Sequence, residues 1–150
     1  MTDITPEIHR KLAASLFNKT WELIDLKERT TEDTELMVNS AHASLFHWLQ
    51  VGNAVNFARG EWQISRVYSL CKRAEPALHH AENCLRICLE NHIGDFDLAF
   101  AYEALARACN ISDASAKSQQ YLELAREAAQ NIKEKDNREY LLTELSTITL

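Results

Sequence analysis

Arg59, Trp62 and Arg66 are spaced i, i+3 and i+7, so on a helix they share one face. Two guanidiniums beside an indole can read a carboxylate or a phosphate. Arginine offers bidentate pairing, and tryptophan offers a flat anchor for the apolar part of a ligand. A second group, His80, Cys84, Cys88 and His92, falls at i, i+4, i+8 and i+12 and resembles a metal stripe. Each step of four advances about 6 Å, so its ends stand about 18 Å apart and at most two neighbours could share one ion. Cys84 also fills a small-residue slot of the chain's 41-residue repeat and reads better as a small buried hydrophobe, so no metal ligand set is assigned. A third group is His42 with His47 and Trp48. Five residues turn a helix by about 140°, which is not the same-face spacing of a zinc helix. A carboxylate nearby would make either histidine a general base. Alternatively, both hydrogen-bond helix ends or neighbouring side chains.

No nucleophile motif accompanies these groups. There is no G-x-S-x-G, and three scattered glycines make no phosphate-cradling loop. No catalytic residue and no cofactor is therefore assigned. The chain has 150 residues, 46% hydrophobic and 25% charged, which suits one globular domain with a real core. A net charge of −6 argues against nucleic acid as a partner, because phosphate backbones need concentrated Lys and Arg. No apolar run approaches the ~18 residues of a membrane span. The segment Met1-Thr2-Asp3-Ile4-Thr5-Pro6 lacks the basic region and apolar core of a signal peptide. Cys71, Cys84, Cys88 and Cys109 all fall in predicted helices, so a reducing, cytoplasmic setting is expected.

Helical periodicity accounts for nearly the whole chain, with no sustained alternation of period 2. The first helix is expected from Pro6 to Glu28 and the second from Asp33 to Val51, ended by Gly52. The third runs from Asn53 to Lys72 and the fourth from Pro76 to His92. Gly94 reads as a C-terminal stop and Asp95 as the next N-cap. The fifth spans Phe96 to Cys109, the sixth starts after Ser112 or Asp113 and ends near Ile132, and the seventh covers Asn137 to Ile148.

These helices repeat. Ile64-Ser65-Arg66-Val67-Tyr68 recurs in kind 41 residues later as Leu105-Ala106-Arg107-Ala108-Cys109. Ala77, Ala81, Cys84 and Cys88 recur as Ser118, Leu122, Ala125 and Ala129, and Asp95 as Asp136. A fixed period of this size marks stacked helical hairpins. The pattern resembles the tetratricopeptide repeat, carried by Ile64, Ser65, Tyr68, Ala77, Ala81, Cys84 and Leu85, with a period longer than that family's usual ~34 residues. Residues 53–132 carry the resemblance; Ile24 stands where the first pair would need a small residue. The stretch from His42 to Tyr68 also resembles a group of bacterial repeat-like proteins, which implies no activity.

The resemblance implies an all-α stack of about three antiparallel hairpins, residues 6–51, 53–92 and 96–132, with residues 137–148 as a cap. It also implies that the first helix of each pair lines a concave face. That puts Arg59, Trp62, Arg66 and Ser69 there from one helix, Phe100, Glu103, Arg107 and Asn110 from the next, and Asn18, Trp21 and Asp25 from the first. The expected ligand-binding residues are Trp21, Arg59, Trp62, Arg66, Glu103 and Arg107. The competing reading pairs Arg66 and Arg107 internally with Glu61, Glu103 or Asp25 and makes Trp62 core. The expected function is a non-enzymatic module for a protein or peptide partner, with homodimerisation as a further arrangement. The alternative is a small-molecule or metal-dependent activity centred on His42, His47, Arg59 and Glu61.

Overall fold

The computed structural model describes residues 3–149, so Met1 and Thr2 of the N-terminal segment read above lie outside it. Seven helices follow in order: α1 (Pro6–Ile24), α2 (Thr31–Val51), α3 (Ala54–Leu70), α4 (Ala74–Glu90), α5 (Asp95–Ile111), α6 (Ser115–Ala129) and α7 (Lys135–Ser146). The described residues contain no strand, and no helix among them is long and apolar enough to cross a membrane.

Local chemistry sets the ends. Thr5 caps α1, its hydroxyl accepting from the Ile8 amide, with Pro6 in the first turn. Thr30 and Asp33 form a capping box that starts α2 at Thr31, earlier than the expected Asp33. At the other end of α1 the helix stops at Ile24, short of Glu28. There Arg29 Nη1 donates to the carbonyls of Leu23, Ile24 and Leu26. Pro76 sits inside the first turn of α4 rather than at its start. Left-handed residues end three helices: Lys72 at φ 58°, His92 at 53° and Asp113 at 60°. The amide that follows each reaches back to the last turn, Arg73 to Tyr68, Ile93 to Cys88 and Ala114 to Cys109. Gly94, expected as a stop, instead stands at the N-cap of α5 at φ −108°, and Asp95, expected as the cap, is the first residue of the helix with a left-handed φ of 52°.

Each helix packs its backbone closely against the next, and beyond that α1 lies close to α3, α3 to α5 and α5 to α7. The backbones of the even-numbered helices stay apart, and α2 reaches α4 only through side chains, His42 lying edge-on to His80 with ring centroids 5.5 Å apart. This is a stack of hairpins in which the odd helices form a continuous inner layer. It is not a bundle around one axis. The serine and alanine slots explain how the pairs close. Ser65 donates to the Ala77 carbonyl at 2.8 Å, joining α3 to α4. One period later Ser118 donates to the Ala106 carbonyl at 2.9 Å, joining α5 to α6 with donor and acceptor exchanged. In the first pair Ser44 donates to the Ala13 carbonyl, away from the slot that Ile24 fills. Between pairs, α2 and α3 approach so closely that a Cβ on Gly60 would stand 2.8 Å from Leu45 Cδ1.

The core forms two clusters. Leu23, Met37, Ala41, Leu45, Ile64 and Val67 join α1 to α3, and a larger cluster runs from Ala58 to Ile148. α7, the last of the described helices, presents a polar row where α5 is apolar. One period after Leu98, Tyr102 and Leu105 of α5 it carries Glu139, Thr143 and Ser146, all exposed. Because the slot at Ser65 is fully occupied, Ser65→Leu is expected to lower the free energy of unfolding by about 1–3 kcal/mol, read from urea titration.

Candidate functional site

The 41-residue period brings equivalent positions of the odd helices side by side. One such column is Trp21, Trp62, Glu103 and Glu144, and a turn further on stand Asp25, Arg66, Arg107 and Ile148. The column closes into a continuous spine. Trp21 stacks on Trp62, with centroids 5.6 Å apart. Trp62 Nε1–H donates to Glu103 Oε1 at 2.9 Å. Arg107 Nε donates to Glu103 Oε2 at 2.8 Å, and Arg66 Nη2 lies 3.5 Å from the same oxygen. Arg66 Nη2 also donates to Glu144 Oε2 at 2.6 Å, and Arg107 Nη2 donates to the Glu144 carbonyl and to Thr147 Oγ1. The Arg66 guanidinium lies over the Trp62 ring at 5.2 Å. Burial works against the Arg66 charge, but Glu103 and Glu144 outweigh it and hold its pKa above the ordinary value.

The residues expected to share one ligand face are therefore divided. Arg66 and Arg107 are held within the fold, by Glu103 and Glu144 rather than by Glu61 or Asp25. Glu103 has no solvent exposure, and Trp62 is 8% exposed. Trp21, Arg59 and Trp62 instead border an open cavity of about 370 Å³. Its walls are aromatic: Phe17 and Trp21 from α1, Trp62 from α3, Phe96 and Phe100 from α5, and Tyr140 from α7. Cys84 of α4 also lines it. Arg59 stands at the mouth with about half its side chain in solvent. It donates from Nε and Nη2 to the two Asp97 oxygens at 2.8 and 3.2 Å, and its guanidinium lies 6.0 Å from the Phe96 centroid. Asp97 thus takes one edge of the fork. Nη1 has no partner among the described residues.

Phe96, Asp97, Asn137 and Tyr140 were not foreseen. Tyr140 follows Phe17, Ala58 and Ala99 at the repeat interval, a signal hidden because the two middle positions are alanines. Asn18 and Asp25 are exposed, while Ser69 and Asn110 line a separate, basic cavity with Arg66 and Arg107.

The histidines do not gather into one site. His42 Nε2 and Tyr68 Oη share a hydrogen bond of 2.7 Å. His80 Nδ1–H donates to Glu61 Oε2 at 2.6 Å, and His80 stacks on Tyr68. His42 and Glu61 thus meet through His80. His47 is elsewhere, its Nδ1 2.8 Å from His9 Nδ1, with Trp48 half-buried on the same helix. Arg59 belongs to the aromatic cavity. On the Cys/His stripe, Cys84 and Cys88 are buried, and their hydrogen bond with burial pushes the Cys84 thiol well up. Among the described residues no three His, Cys, Asp or Glu side chains are placed to hold one metal ion.

No protein-family model, curated protein or solved structure matches the chain. Two outcomes follow from the geometry. Glu103→Gln removes the charge that Arg66 and Arg107 share, and is expected to lower unfolding free energy by about 3 kcal/mol in urea titration. Burial first, then His80, lowers the His42 pKa below 6.5, and burial with His9 does the same for His47. The unfolded chain therefore binds protons first as pH falls below 6.5. The urea midpoint is expected to drop between about pH 7.5 and 5.5, and His42→Gln with His47→Gln should shrink that drop.

Proposed function

We propose that this tetratricopeptide-like array is a non-enzymatic binding module. In this reading its aromatic cavity receives one apolar side chain of a protein or peptide partner. The observation that carries the proposal is the open cavity of about 370 Å³, walled by rings from α1, α3, α5 and α7. Concave pockets of this size, mostly apolar with a few polar groups at the edge, are common binding sites. Rings buried in such a pocket also give much contact area for little lost rotamer freedom.

The edge supplies orientation. Arg59 is fixed by Asp97 on one side of its guanidinium and keeps Nη1 for an acceptor. An aromatic or branched aliphatic residue beside an Asp or Glu fits both features. Arg66 and Arg107, spent on the spine, serve this pocket by holding Trp62 in place.

A random-peptide display selected on the intact chain is expected to enrich such sequences. The selected peptides should change the fluorescence of Trp21 and Trp62. Tyr140→Ala should weaken them about tenfold, and Arg59→Gln should abolish the preference for the acidic neighbour. Failure to enrich any sequence, or peptides indifferent to both substitutions, would refute the proposal.

A further inference from the structure

The second cavity on the inner layer, about 360 Å³, lies where the C-terminal ends of α3, α5 and α7 meet the α1–α2 turn. Arg29, Arg66, Lys72 and Arg107 all line it. Four cations in one wall are unusual for a chain of net charge −6. Only Glu103 and Glu144 answer them, through the bonds to Arg66 and Arg107 already described. Two positive charges are left without a counter-ion among the lining groups.

Donors are left over as well. Arg29 uses Nη1 on the α1 carbonyls, and its Nε and Nη2 have no partner among the described residues. Lys72 is exposed and likewise has none. Arg66 Nε is buried without an acceptor. An independent observation comes from Ser69 on the same wall. It is 4% exposed, and its buried Oγ has no hydrogen-bond partner. Buried polar atoms are nearly always paired, so an orphan calls for an explanation. Basic residues near helix C-termini can be explained by the partial negative charge of the last carbonyls. That account does not cover a buried hydroxyl and a buried guanidinium nitrogen that both lack an acceptor.

The geometry points to this cavity as a binding site for a dianionic phosphoryl group. Its charge matches the two unanswered cations. Its three terminal oxygens are strong acceptors for the free donors of Arg29 and Lys72, and a turn of the Ser69 side chain would bring its hydroxyl to them. The assignment is independent of what fills the aromatic cavity, and failure of the peptide reading would leave it standing.

Isothermal titration of the intact chain with inorganic phosphate near pH ~8, at ionic strength matched with chloride, tests it. Saturable binding to one site is expected. Lys72→Asn, which tolerates the left-handed backbone at φ 58°, and Ser69→Ala should each weaken it about tenfold at unchanged melting temperature. If Ser69→Ala does not fold, the exposed Lys72 decides. O-phosphoserine binding more tightly than inorganic phosphate would assign a phosphorylated side chain, and equal affinity a free phosphate or small ester. No saturable heat beyond the chloride control overturns the proposal. So does acetate binding as tightly as phosphate, or wild-type affinity in Lys72→Asn.

Discussion

A carboxylate with no access to water governs the inner layer of this protein. Glu103 is fully buried, and its charge is sustained by the Trp62 indole and the guanidiniums of Arg107 and Arg66. Removing an ion from water is costly unless hydrogen bonds replace its hydration, so these donors must be held at bonding distance. Trp62 and Arg66 come from α3, Arg107 from α5, and Glu144 draws α7 into the same network. Apolar contact alone would let the inner helices slide. The spine fixes their register.

The same spine divides the inner layer. It leaves rings on one flank and cations on the other. Trp62 belongs to both, giving its N–H to Glu103 and its ring to the aromatic cavity. Arg66 likewise covers the indole from one side while lining the basic cavity. One tied network therefore shapes two recesses of opposite chemistry.

Much of the scaffold was legible in the residues. Close helix contact restricts volume, so Ser65, Ala77, Ala106 and Ser118 announced the joints of both later hairpins. The turns were harder to read. Lys72, His92 and Asp113 adopt the left-handed conformation without a glycine to signal it, whereas Gly94 carries the signal and does not adopt it. At the site, helical spacing brought out Arg59, Trp62 and Arg66, but spacing cannot reveal whether a charge is already answered. Arg66 finds its nearest carboxylate 78 residues away, on a helix read only as a cap. His80 was read along its own helix, as a member of a metal stripe, and so its bond to Glu61 across the α3–α4 pair was missed. Arg29 and Lys72 lie in turns, where no periodicity points to them.

The reversed serine–carbonyl bonds at the two later joints imply that the spacing there depends on one hydroxyl, not on which chain segment supplies it. Moving it across, as Ser65→Ala with Ala77→Ser, conserves volume and donor number. Homologous arrays are thus free to trade this hydroxyl between partners by paired drift, so that covariation at the two positions, and not identity at either, would be the evolutionary trace of the joint.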